Sequence, residues 1–210
     1  MVYRRYMTLY DRVVTFDQDA KGTGHGAEDA AANGQPPKRS QHTLVYDVVG
    51  HPQCEFIFSI AFPFHKATAT TPPQVTVIRE YAQGPNCLQY CLPTGGFDPR
   101  KHGNLLDCAR AEMREEAMLM GGEVVPLLPD DHPGQSEVKW SRNSFKPFLF
   151  IDPQPDPSGH AARDAEEHTI EVSRISISEL RSLMLGGQMM LPSIFTCYLA
   201  LEALDARRLI

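Results

Sequence analysis

The sequence predicts a mixed α/β fold with helices on both faces of a sheet. Three observations carry that expectation. Strand-like segments lie before and after one central amphipathic segment, that segment repeats its apolar residues at helical spacing, and two further helical segments close the chain. At 210 residues, with 42% hydrophobic and 22% charged side chains, the chain can bury the core of one domain plus a small appendage.

The elements follow in order. Residues 3–16 are rich in Tyr, Val, Thr and Leu without helical periodicity, as in a strand. Residues 18–40 change character: Gly24, Gly26, Gly34, Pro36 and Pro37 stand among polar residues, with nothing to bury. They read as an insert between two strands that would otherwise form a hairpin. The expected organisation is therefore N-terminal strands over residues 1–49, interrupted at about 18–40, and a main domain over residues 50–210.

Strand signals resume at residues 43–49, 55–62, 74–81 and 87–92. The clearest helix spans residues 104–119, where Leu105, Ala109, Met113 and Ala117 form one apolar stripe and Gly121-Gly122 are expected to end it. Residues 123–128 and 146–151 read as strands around a polar loop at 130–134. A flexible segment is expected at 153–163, then a half-buried strand at 169–175. Ser176-Ile177-Ser178-Glu179 is a capping box opening a helix to Leu185. Pro192-Ser193 opens the last helix, with Phe195, Leu199, Leu201 and Leu204 as its apolar residues. Trp140 is expected in the core or at an interface.

Charge and cysteine usage narrow the function. A net charge of −6 argues against a general nucleic-acid binder, which needs a basic face. Five scattered cysteines imply no disulfide framework and a reducing compartment. Cys87 and Cys91 lack a second pair at zinc spacing. No apolar run approaches the ~18 residues of a membrane span. The expectation is a soluble intracellular protein, in the cytoplasm or an organelle lumen or matrix.

The central helix carries Glu112, Glu115 and Glu116, whose spacing places all three on one side. Like charges so arranged repel, and a hard cation turns that repulsion into attraction. Just upstream, Leu92-Pro93-Thr94-Gly95-Gly96-Phe97-Asp98 supplies paired glycines, which allow a tight turn and close approach of a phosphate to the backbone.

Residues 92–119 resemble the Nudix hydrolase signature, in which glycine, five residues, glutamate, seven residues and Arg-Glu-aliphatic-x-Glu-Glu-x-Gly hold divalent metal. Glu112, Met113, Glu115 and Glu116 match by position. The motif arginine, which in the family helps orient the carboxylates, is replaced by Ala111. The first glutamate is lost at His102 or Gly103, depending on the direction of counting, because the loop is one residue longer. The closing glycine is Met118. Arg79-Glu80-Tyr81, the later Pro133-Gly134 and residues 148–150 (Phe-Leu-Phe) resemble the ADP-ribose and ADP-sugar pyrophosphatase branch.

The resemblance implies a Nudix-type α/β/α sandwich with a mixed sheet and additional N-terminal β-strands, which in that branch pair or swap in a homodimer. It implies Mg²⁺ or Mn²⁺ at Glu112, Glu115 and Glu116, with Glu115 and Glu116 also catalytic. Arg79, Tyr81, Thr94, Gly95 and Gly96 become candidate substrate contacts. In Asp164-Ala165-Glu166-Glu167, either Glu166 or Glu167 stands where the branch places a late glutamate that activates water or binds metal. The implied activity is hydrolysis of a nucleoside diphosphate-linked small molecule, such as an ADP-sugar, to AMP and a sugar phosphate. The alternative is a Nudix-fold binding module or structural subunit without turnover; nucleoside triphosphates, coenzyme A or capped RNA are other substrate classes.

Overall fold

A computed structural model describes residues 3–4, 7–18, 40–158 and 169–210. The chain divides into two compact units, residues 1–50 and 51–210.

In the first unit, β1 (Tyr3–Arg4), β2 (Thr8–Gln18) and β3 (Ser40–Gly50) form a three-stranded antiparallel sheet. β2 and β3 pair along their whole length, from Thr8 opposite Gly50 to Gln18 opposite Ser40. The two strands that border the expected insert thus do form a hairpin; residues 19–39 lie outside the described residues. Val13 and Val45 face each other and are each 64% exposed.

The second unit is built on a mixed sheet. Its strands are β4 (Ile57–His65), β5 (Gln74–Ala82), β6 (Cys87–Cys91), β7 (Thr94–Gly96), β9 (Glu123–Pro126), β10 (Gln135–Ser136), β11 (Ser144–Ile151) and β13 (Glu171–Ser176). The order is β10-β11-β4-β5-β13, with β6 on β5, β7 on β4 and β9 on β11. β4 and β11 run parallel from Ile57 beside Ser144 to Phe64 beside Ile151, and the other pairs are antiparallel. β4 therefore sits inside the sheet, and from Ser59 to His65 every residue is buried, as a strand covered on both faces requires.

Three helices cover the sheet. On one face lies α1 (Leu105–Ala117), whose Ala109, Met113 and Ala117 pack with Ala61, Ile78, Cys91, Phe148 and Phe150. The other face carries α2 (Ile177–Leu185) and α3 (Leu191–Ala206); Leu180, Cys197, Ala200 and Leu204 there join Ile60, Phe62, Phe64, Val75, Val77 and Leu149. The result is an α/β/α sandwich. The expected capping box is present: the Ser176 side chain accepts from the Glu179 amide at 3.2 Å, and Glu179 accepts from the Ser176 amide at 2.8 Å.

Three expectations change. α1 stops at Ala117 rather than at the paired glycines, because Met118 takes the left-handed conformation (φ 57°, ψ 37°) and its amide donates back to Arg114. Gly121 and Gly122, both at positive φ, instead make the turn from β8 (Leu119–Met120) to β9. The segment from Pro153 is pinned at its start: β12 (Gln154–Pro155) pairs with β8, and Asp156 is buried. Trp140 is 60% exposed rather than in the core.

Candidate active site

α1 presents Glu112 and Glu116 toward β7 because its Ala109, Met113 and Ala117 stripe is packed on the sheet, and its ends are fixed as well. The Asn104 side chain caps the start by accepting from the Asp107 amide at 2.9 Å, and Met118 closes the end. Glu112, Glu115 and Glu116 fall on the last two turns; Glu116 is buried and the other two are half-buried. The Thr94 amide donates to Glu116 Oε2 at 2.9 Å, while the Thr94 hydroxyl donates to the Leu92 carbonyl at 2.7 Å.

Gly95 fits beneath Glu112 only because it lacks a side chain. A Cβ built there falls within 2.6 Å of Glu112 Oε2, and closer still to Oε1 and Cδ. A Cβ on Gly96 would come within 2.8 Å of the Cys54 Cβ. Neither glycine adopts positive φ, so the pair does not form the tight turn read from the sequence. Both lie in β7, paired with Ser59 and Phe58 of β4. Their smallness admits a carboxylate on one side and a thiol-bearing side chain on the other.

Period-two alternation along β5 decides which of its residues reach this face. Ile78 packs beneath α1, and Glu80 follows it there, accepting from the Cys91 thiol at 3.2 Å. Burial holds that thiol protonated, and the charges of Glu80 and Glu116 push it the same way. One thiol thus stands within the field of two carboxylates from different elements. Burial likewise pushes the Cys108 thiol up to about 12, and it donates to the Gly95 carbonyl at 3.6 Å. These thiols are neutral near pH 7, leaving carboxylate and carbonyl oxygens as the ligands that the site can offer. Glu80 was not singled out from the sequence; its signal was its place two residues after Ile78.

Arg79 and Tyr81 alternate to the opposite face of β5. Arg79 pairs with Glu171 at 3.4 Å and lies 5.6 Å from the Tyr90 ring, whose residue packs on the α2–α3 side. The Tyr81 hydroxyl donates to Asn86 at 2.6 Å. The structure brings Thr94, Gly95, Gly96, Glu112 and Glu116 together, and does not bring Arg79 or Tyr81 to them. Glu115 stands one helical turn beyond Glu112. Glu166 and Glu167 lie outside the described residues.

The neighbouring cations have partners outside the three glutamates, although the charge of Glu115 also acts on Arg114. Arg110 pairs with Asp107 at 3.5 Å. Arg114 pairs with Asp156 and donates to the Ser158 hydroxyl at 2.9 Å. Hydrogen bonding from Arg114 holds the Asp156 carboxyl down at about 2, with the Ser158 amide assisting. In the loop before α1, the Asp98 amide donates to His102 Nδ1 at 3.2 Å, and Arg100 pairs with Asp98 at 2.8 Å. His102 and Gly103 thus stand at the missing glutamate of the signature in a loop that bonds to itself.

The donor set suits a hard divalent cation in kind, since carboxylate oxygens on a rigid helix face a glycine strand with a backbone carbonyl nearby. Among the described residues, no three His, Cys, Asp or Glu side chains converge as they stand on one ion position. A bound ion would therefore take part of its shell from water or from substrate oxygens.

No protein-family model matches this sequence, and no curated protein matches it. Solved structures do match. An ADP compounds hydrolase superposes with a TM-score of 0.60 at 14% identity, covering 80% of this chain and 82% of the other. The NUDIX domain of NrtR from Shewanella oneidensis, solved in complex with ADP-ribose, superposes with a TM-score of 0.52 at 12% identity, covering 70% and 87%. The fold is of the Nudix type. The α/β/α sandwich expected from the Nudix-like box is thus present despite the altered positions within that box. Met118 shows how one departure is absorbed: it takes the left-handed cap that glycine commonly fills after a helix. No helix among the described residues is long and apolar enough to cross a membrane.

Proposed function

We propose that this chain is a metal-dependent pyrophosphohydrolase acting on a nucleoside diphosphate-linked sugar of the ADP-ribose or ADP-sugar kind, releasing AMP and a sugar phosphate. The observation that carries the proposal is the junction of α1 and β7. There the Glu112 carboxylate occupies the space left by Gly95, and Glu116 accepts from the Thr94 amide. The solved relatives described as an ADP compounds hydrolase and an ADP-ribose complex support the substrate class.

Glu112 and Glu116 are the proposed main ligands of Mg²⁺ or Mn²⁺, with Glu115 assisting. When bound, the ion supplies charge neutralisation and a more acidic water. The chain contributes the rest: Thr94 fixes one Glu116 oxygen and Gly95 leaves room for Glu112, while Glu166 or Glu167 is proposed to take the proton of the attacking water. Arg79 and Tyr81 lie on the other sheet face, so they are proposed to meet substrate away from the carboxylates. β2 and β3, with Val13, Phe16, Leu44 and Val45 exposed, are the strands proposed to meet a second copy of the chain.

A second reading has its own support. Ala111, together with three glutamates that do not converge as they stand, fits a Nudix-fold binding module without turnover. The test is incubation with Mg²⁺ or Mn²⁺ and a panel of nucleoside diphosphate sugars, comparing wild type with Glu116→Gln. Hydrolysis by wild type, lost in the variant, supports the enzyme. Binding of a nucleotide sugar without hydrolysis supports the module.

A further inference from the structure

A buried lysine stands on the sheet beside the α1–β7 junction without a counter-charge. Lys146 of β11 is only 8% exposed. Among the described residues it forms no ion pair. Its Nζ donates to the Asp130 carbonyl at 2.7 Å. A lysine head has three donors, and one carbonyl answers one of them. Burying such a head without an anion is costly.

Strand register fixes where that head lies. Phe145 packs on the α2–α3 side and Phe148 on the α1 side, so alternation puts Lys146 on the α1 side. Ser59 shares that face with Ala61. Lys146 is level with Ser59, and Ser59 is level with Gly95, against which Glu112 lies. The three form one row across three neighbouring strands. Within it the Ser59 hydroxyl is wholly buried and, apart from the Cys108 thiol at its side, has no hydrogen-bond partner among the described residues. Two strand spacings, roughly 10 Å, separate the backbones of Lys146 and Gly95, a gap that a diphosphate between the two side chains can span.

We infer that Lys146 is a phosphate-binding residue, its Nζ donating to one phosphoryl group of a diphosphate whose other oxygens face Glu112 and Glu116. The inference rests on the pyrophosphohydrolase reading for its ligand and adds the cation that reading lacks. A diphosphate set among carboxylates carries more negative charge than one divalent ion offsets. Arg110 and Arg114 are paired with Asp107 and Asp156, and Ala111 offers no charge. Lys146 supplies the cation from the sheet instead of the helix, as the compact point charge that phosphate sites use. Asp130 and Asp131 are exposed, so the chain bonded to the lysine head is surface loop. A phosphoryl oxygen takes the donors that the Asp130 carbonyl leaves.

The test is calorimetric titration of the full chain with methylenediphosphonate, a diphosphate mimic that cannot be hydrolysed, in the presence of Mg²⁺. Lys146→Met removes the charge and the donors; Lys146→Gln removes the charge and keeps a donor. Each is expected to weaken binding about tenfold, whereas Lys139→Met, at an exposed lysine on the preceding loop, should leave it within about twofold. The urea midpoint of Lys146→Met should not fall, because an apolar side chain there no longer buries a charge. Unchanged affinity in both Lys146 variants overturns the inference, and with a lowered midpoint it makes the lysine a pin for the Asp130 loop. No binding by wild type up to about 1 mM, or an equal loss in Lys139→Met, overturns it as well. Hydrolysis of ADP-ribose is assayed separately. A wild type that binds the mimic through Lys146 and hydrolyses no nucleotide sugar refutes the hydrolase reading and leaves the phosphate site standing.

Discussion

Gly95→Ala separates the chemistry of the site from the stability of the fold. The added methyl would lie within 2.6 Å of Glu112 Oε2, whereas ordinary contact begins at 3.4 Å, and it would overlap the rest of the carboxylate more severely. The carboxylate must therefore retreat by about 1 Å or more. It can do so cheaply, because it ends a flexible side chain that is half-buried, and the backbone at residue 95 has an ordinary φ. Folding stability should change by less than about 1 kcal/mol. Function should not be spared: displacing a positioned group by about 1 Å can lower a rate about 100-fold. Gly96→Ala provides the contrast. Its methyl would meet the Cβ of buried Cys54 at 2.8 Å, a contact that only backbone movement relieves, so it should cost about 1–3 kcal/mol. Urea denaturation, Mn²⁺-induced thermal shift and nucleotide-sugar hydrolysis measure the two effects side by side. The reasoning fails if Gly95→Ala is as unstable as Gly96→Ala, or if it keeps a wild-type Mn²⁺ shift and turnover.

Met118→Gly should stabilise the protein by about 0.5 kcal/mol in urea. Relief of a left-handed non-glycine residue, about 1–2 kcal/mol, outweighs the extra freedom of glycine in the unfolded chain, about 0.5–1 kcal/mol. Thiol titration of the native protein with a chromogenic disulfide should count one fast cysteine, the exposed Cys87, and all five after unfolding, since Cys54, Cys91, Cys108 and Cys197 are buried and free. Acid should weaken the fold in two stages. Burial, aided by the charge of Arg174, lowers His65 to about 4, so its contribution is complete above pH 6.5 and is lost as pH falls from there to 4. Asp156, held at about 2 by Arg114, contributes above its ordinary 3.8 and loses that contribution as pH falls toward 2. Urea midpoints from pH 8 to 2 should show both stages, with His65→Asn flattening the first and Asp156→Asn the second.

The features legible in the sequence were those with local causes. The α1 stripe follows from spacing alone, and the Ser176 capping box from four adjacent residues. The hairpin across residues 18–40 was legible because both flanks had strand composition and the stretch between had nothing to bury. Other features depend on who the neighbour is. Paired glycines read equally well as a turn or as a gap, and only neighbours distant in sequence, Glu112 at Gly95 and Cys54 at Gly96, make them a gap. Alternation along β5 shows that Arg79 and Glu80 oppose each other, but not which face α1 will cover. Arg114 and Asp156 are 42 residues apart, and nothing local to either marks the pair that anchors β12.

The hydrogen bond from the Thr94 amide to Glu116 also makes one backbone proton a native reporter of the site. Any event that recruits or neutralises that carboxylate must alter the amide's shielding and its exchange with solvent, because the acceptor is the changing group. β7 is only three residues long, so little else anchors this amide against opening. In a ¹H–¹⁵N spectrum, the Thr94 resonance should therefore titrate with Mn²⁺-free ligands or Mg²⁺ even in a variant that turns over nothing. Occupancy would then be readable without a chemical step.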